Sequence, residues 1–276
     1  MELARIALSN KMETKSRITS VLKANSLDFS ITGFQEFNLS ELELVCNLEF
    51  QLPTNIRLGH LVEKIVSELI KSSSNYEVIY ENTQLIQDKI TIGEIDFIIK
   101  KLETNQLIHL ELAYKFYLFD PTISSEPISN WIGPNRNDSL KEKLDKLKKQ
   151  QFPLLYHNSA KLKFKNIKYS KVSQALCLLV SLFIPYESDL SLTQKYQNAI
   201  RGYYLNFETF KSLDSRGKKY HIPSKKEWGI DPYDNENWTG FDEVVKHINT
   251  SIKESQSLLI WQKNKDVHTA FFITWW

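Results

Sequence analysis

Residues 92–119 read IGEIDFIIKKLETNQLIHLELAYKFYLF. β-Branched and aromatic residues crowd two runs, 92–100 and 107–119, and the polar LETNQ between them is a turn signal. The stretch predicts a hairpin of two long strands, and this limits the chain to folds built around a sheet. Its charges do not fit a plain buried hairpin. A period of two puts Glu94, Asp96 and Ile98 on one face of the first strand, with Gly93, Ile95, Phe97 and Ile99 on the other. On the second strand Ile108, Leu110, Leu112, Tyr114, Phe116 and Leu118 form an apolar face. His109, Glu111, Ala113, Lys115 and Tyr117 lie opposite. Pairing across the turn brings Asp96 and Glu111 near each other on one side.

The elements around this hairpin are predicted from their periods. LGHLVEKIVSELIKSS carries apolar residues at 58, 61, 62, 65, 66, 69 and 70, the spacing of one helix face. Glu63 borders that stripe, where a carboxylate without a partner is costly. Residues 76–86 read as a strand. SLKEKLDKLKKQQFPLL reads as an amphipathic helix with Leu140, Leu144 and Leu147 on one side. QALCLLVSLFIPY, 174–186, reads as a strand buried on both faces. Further helices are expected near 12–25, 38–50 and 192–213.

The order helix, three strands, helix, strand implies a right-handed crossover between parallel strands. The expected class is α/β, with a central mixed sheet flanked by helices. We read one domain over 1–276, with its core at about 58–186 and helical or irregular extensions at 1–57 and 187–276. The tail aromatics (Tyr203, Tyr204, Trp228, Trp238, Trp261, Trp275, Trp276) read as packing residues.

Composition excludes several classes. Eight glycines, eight prolines and 42% apolar residues do not fit a disordered or linker-rich chain. Cys46 and Cys177 match no CxxC pattern and read as buried thiols in a reducing compartment. The N-terminus lacks the apolar core of a signal peptide. The longest apolar run, 175–184, is about half the roughly 20 residues a membrane helix needs. A cytoplasmic protein without a membrane partner is expected. Net charge is only +2, yet residues 138–171 hold ten lysines against three acids. Such a strip is either a solvated face or a contact for a polyanion such as nucleic acid.

The set of Glu63, Asp96 and Glu111 has a chemistry of its own. Converging carboxylates raise one another's pKa, and a hard divalent cation relieves the repulsion. A nearby lysine orients an attacking water or neutralises charge developing on phosphorus.

An acid on a helix, an Asp on the second strand, a Glu on the third, then a helix and a buried strand resemble the PD-(D/E)XK phosphodiesterase superfamily over residues 58–186. LGHLVEKIV, GEIDFII, HLELAYKFYL, WIGPNRNDSLKEKLDKL, QQFP and RGYY at 201–204 also resemble the bacterial domain-of-unknown-function family 1853, over most of the chain. The resemblance implies a restriction-endonuclease-like αβββαβ core and a nuclease using Mg²⁺ or Mn²⁺. Glu63, Asp96 and Glu111 would be its catalytic, metal-binding acids. The motif's lysine position holds Ala113, leaving Lys115 or Lys143 as the replacement. The implied partner is nucleic acid, DNA ahead of RNA, contacted by Lys141, Lys146, Lys148, Asn135 and Gln151. The alternative is a nuclease fold without turnover that binds nucleic acid or a protein. The NWIGPNRND loop, 130–138, reads either as a cover for the cleft or as a turn and cap.

Overall fold

A computed structural model of the chain describes residues 14–45, 50, 52–53, 55–187 and 192–276. Cys46 and residues 12–13 of the first expected helix lie outside the described residues. The chain forms a mixed α/β structure divided into two compact units, each taken here by itself. The first comprises residues up to Tyr114 together with Glu142–Leu179, the second Lys115–Lys141 together with Val180–Trp276. Nine strands are described: β1 (Tyr76–Gln87), β2 (Ile90–Lys101), β3 (Gln106–Phe119), β4 (Trp131–Ile132), β5 (Val172–Pro185), β6 (Ile200–Asn206), β7 (Lys218–His221), β8 (Leu258–Asn264) and β9 (Val267–Thr274). Strands β3 and β5 begin in the first unit and end in the second.

In the first unit the strand order is β1-β2-β3-β5. β1 and β2 form an antiparallel hairpin. Asp88 and Lys89 at its tip both have positive φ, 50° and 66°. This is the backbone pattern of a type I′ turn, whose twist matches that of the strands. β2 and β3 pair antiparallel across the LETNQ turn, as the sequence predicts. Ser173 Oγ at the start of β5 donates to Leu107 O at the start of β3, so these neighbours run in the same sense. Residues 35–37 lie along β5, with Phe37 N–H donating to Leu176 O at 3.0 Å and Leu176 N–H to Gln35 O at 2.8 Å.

Helix Leu58–Lys71 forms where the apolar period places it and ends at Ser72. Its Leu61, Val62, Ile65, Val66, Leu69 and Ile70 are buried with Phe97, Ile99, Leu110, Leu112, Cys177 and Leu179. Each such side chain contributes roughly 1.5–3 kcal/mol by leaving water. A second cluster holds Leu85, Ile95, Ile98, Leu155, Ala160, Phe164 and Val172. Ile95 shares this cluster with Ile98, while Phe97 and Ile99 join the first. Strict alternation along β2 therefore fails at Asp96.

Two expected helices come out differently. The 38–50 segment contains one 3-10 turn, Leu39–Glu41, with 46–49 outside the described residues. The 139–155 segment is regular α-helix only over Leu140–Lys146. A π turn follows at Leu147–Gln151 and a 3-10 turn at Phe152–Tyr156. Pro153 carries no N–H and cannot continue an α-helix.

The second unit is richer in strand than the sequence suggests. Its order is β5-β6-β9-β8-β7, and β4 pairs with the end of β3. β5, β6 and β9 run parallel, and β9, β8 and β7 antiparallel. The helix expected at 192–213 is instead one turn at Gln194–Gln197, strand β6, and helix Phe207–Ser212. Helices Phe207–Ser212 and Phe241–Lys253 bring Phe210, Val244 and Ile248 against Tyr220, Ile260, Phe271 and Ile273. Trp228 packs edge-on against Phe116 and Phe272, and Trp276 lies against Tyr204. Both match the packing role expected for the tail aromatics.

Candidate functional site

The ladder between β2 and β3 runs from Lys101↔Gln106 to Phe97↔Leu110 and stops. The next rung would join Asp96 to Glu111. There the backbones no longer pair, and the Asp96 carboxylate takes over: Oδ2 accepts the Leu112 N–H at 2.8 Å. A side chain thus satisfies a β3 amide that its neighbouring strand leaves free. Asp96 is partly exposed, whereas Glu111 has no exposed surface.

Both Glu111 oxygens are engaged. His109 Nε2 lies 2.8 Å from Oε1, and Gln151 Nε2 donates to Oε2 at 2.5 Å. Gln151 in turn accepts from Lys143 Nζ at 2.7 Å. The π turn ends at Gln151, and such turns inside helical segments are frequent at functional sites. His109 is fully buried and packs edge-on against Phe152 at 5.3 Å. Gln174 Nε2 lies 3.4 Å from His109 Nδ1 and donates to Phe152 O at 2.8 Å.

The electrostatics follow from burial. Burial first, then the charge of Glu111, pushes Asp96 up to about 7, while the Leu112 N–H pulls it down. Burial likewise pushes Glu111 up to about 8 against the pull of Lys143. The hydrogen bonds Glu111 accepts favour its charged form, so burial and hydrogen bonding oppose each other at this carboxyl. Glu63 adds repulsion at both acids. Burial lowers His109 to about 4, so this ring is neutral at pH 7.

The other expected site residues have these places. Glu63 is 2.9 Å from His60 Nδ1 on its own helix, with its side chain 21% exposed. Lys143 reaches Glu111 through Gln151. Lys115 belongs to the second unit and pairs with Asp138 at 2.6 Å. In that unit Lys141 pairs with Glu126 at 2.6 Å, and Asn135 Oδ1 accepts from Ser257 N–H at 2.8 Å. Lys146 and Lys148 are exposed. Gln151, expected to contact backbone phosphate, is instead a link between a lysine and an acid. Pro134 O accepts from Ser257 Oγ and from Trp276 Nε1, so the 130–138 loop is bonded as a structural turn.

Sequence reasoning took His109 as a structural residue and passed over Gln174. The signal for His109 was its place two residues before Glu111 on one strand face. Nothing marked Gln174, which reaches the site only through the pairing of β5 with β3.

Asp96 and Glu111 offer hard oxygen donors that suit Mg²⁺ or Mn²⁺. Among the described residues, no group of three or more His, Cys, Asp or Glu is arranged to hold a metal ion. The donor chemistry thus fits a cation at the Asp96–Glu111 pair, with Glu63 occupied by His60.

A family model described as Domain of unknown function (DUF1853) matches residues 10–268. The chain belongs to this family. Neither a curated protein nor a solved structure matches the chain. The DUF1853 match spans both units and contains every residue of the site just described. Among the described residues of this DUF1853 member, no helix is long and apolar enough to cross a membrane.

Proposed function

We propose that this DUF1853 protein is a metal-dependent phosphodiesterase acting on nucleic acid, with a restriction-endonuclease-like core of the PD-(D/E)XK type in its first unit. One observation carries the reading. The β2–β3 ladder opens at the rung where Asp96 and Glu111 face each other, and Lys143 is linked to that pair by Gln151. A sheet that serves only as a scaffold gains nothing from two buried, mutually repelling carboxylates. They suit a site that receives a cation.

Asp96 and Glu111 are the residues that would hold Mg²⁺ or Mn²⁺, and Glu63 adds negative charge. When bound, the ion supplies an acidified water and a counter-charge for phosphoryl oxygen. Lys143 supplies positive charge to the same site, in the role left open by Ala113. The exposed lysines at 161, 163, 165, 168 and 171 suit contact with a phosphate backbone. The protein is placed in the cytoplasm on its sequence character.

A second reading keeps the fold without turnover. It is favoured by the complete burial of Glu111, by Ala113, and by the lack of a three-residue metal group among the described residues. Mn²⁺-dependent cleavage of single-stranded, double-stranded and branched DNA and RNA separates the two. Cleavage by the wild type and none by Asp96→Asn is expected. Nucleic-acid binding with no cleavage of any substrate moves the chain to the second reading.

A further inference from the structure

The hydrogen bonds around Glu111 fix their own directions. Phe152 O can only accept, so the amide group of Gln174 that faces it is its NH₂. That same NH₂ lies 3.4 Å from His109 Nδ1. An NH₂ has only hydrogens to offer, so Nδ1 accepts and carries no proton. A neutral imidazole then bears its hydrogen on Nε2. Nε2–H is 2.8 Å from Glu111 Oε1 and donates to it. On the other side Lys143 can only donate, so Gln151 turns its carbonyl toward Nζ and its NH₂ toward Glu111 Oε2. Two chains of donors, from opposite sides, both end on the same carboxyl group. A carboxylic acid needs one oxygen to carry a proton, and that proton would point into a donor.

We propose that His109 is a positioning residue for Glu111, locked by Gln174 as the Nε2–H tautomer, so that it holds Glu111 as an oriented carboxylate ready for a cation. The role rests on the phosphodiesterase reading above. It assigns the buried His109 and Gln174 to the site although neither reaches solvent-side chemistry. It also explains why a fully buried acid is paired with a neutral ring. A cationic partner would neutralise the ligand, whereas a neutral donor orients it and leaves its charge for the metal.

The test uses the full-length protein and Mn²⁺ alone, titrated by calorimetry. His109→Leu removes the donor. His109→Gln puts an NH₂ at about the position of Nε2. Both lose the ring against Phe152, so both melt at a similarly lowered temperature. Mn²⁺ affinity separates them: His109→Leu loses about 10–100-fold, and His109→Gln stays within about threefold of wild type. Equal loss in both variants overturns the proposal in favour of ring packing, and wild-type affinity in His109→Leu overturns it outright. If the wild type takes up no Mn²⁺, the phosphodiesterase reading falls with the cation role. ¹⁵N spectra of the His109 ring then decide the donor assignment by themselves. An Nε2–H ring upholds it, and an Nδ1–H ring overturns it.

Discussion

Asp96 Oδ2 accepts the backbone N–H of Leu112 at 2.8 Å, one step beyond the last rung of the β2–β3 ladder. The bond holds a strand edge with a group that titrates. Asp96 is raised from 3.8 to about 7, so the folded protein binds its proton more tightly than the unfolded chain does. The stability this adds is complete below about pH 4 and is lost as pH rises toward 7. Asp96→Asn keeps an oxygen for Leu112 and removes the titration. Without metal, Asp96→Asn is expected to exceed wild type at pH 8 by on the order of 1–3 kcal/mol and to match it near pH 4. Thermal melts across that range check it, and equal wild-type and mutant curves at pH 8 refute it.

Glycines 93 and 202 are both crowded, and the neighbours differ in how far they can yield. A Cβ on Gly93 would strike the Cδ1 end of Leu154, which can rotate away. A Cβ on Gly202 would strike the carbonyl oxygen of Ala270, held in the β6–β9 ladder. Gly202→Ala is expected to cost about 3 kcal/mol and Gly93→Ala about 1 kcal/mol. Leu154→Ala placed on top of Gly93→Ala should recover less than it costs alone. Urea unfolding of the four proteins measures all of this, and a larger loss at 93 than at 202 would contradict it.

Lys143 and Lys115 were equal candidates for the missing lysine, and their partners now differ. Lys143→Met is expected to lower Mn²⁺-dependent cleavage about 10²–10⁴-fold. Lys115→Met breaks a half-exposed pair with Asp138 and should change stability by under about 1 kcal/mol. Cleavage rates of the two variants on one substrate rank them, and a larger loss from Lys115→Met reverses the assignment.

Lys161, Lys163 and Lys165 are exposed. Changing all three to Gln is expected to weaken nucleic-acid binding and to flatten the plot of log affinity against log salt by about 0.9 for each lysine that touched a phosphate. Fluorescence anisotropy at several salt concentrations reads the slope. An unchanged slope removes this strip from the interface.

Much of the first unit was legible because its signals are local. Helix Leu58–Lys71 follows from its apolar period, and β1, β2, β3 and β5 from runs of β-formers with turn residues between them. Asp96 and Glu111 stood out because charge in such runs needs a reason. The second unit was harder to read. β6 pairs with β9, some seventy residues away along the chain, and Ala270, Phe271, Phe272 and Ile273 are all buried, so no alternation marks the strand. The break after Lys146 had a visible cause in Pro153, yet the π turn before it has no comparable residue signal. Gln174 was hidden for the same reason as β6: its neighbour is set by strand pairing across the sheet.

The π turn makes residue count, as well as residue identity, part of the site. Phe152 N–H bonds Leu147 O, five residues back, where a regular helix would reach back four. The segment thus carries one residue more than an α-helix needs. Deleting one residue among Lys148–Gln150 would let the segment close as ordinary helix and keep its apolar contacts. Gln151 would then swing by about 100° around the axis, away from Glu111. Substitutions on the exposed side should pass with little effect, but a change in length would disconnect Lys143 from the acids while leaving a chain that still folds.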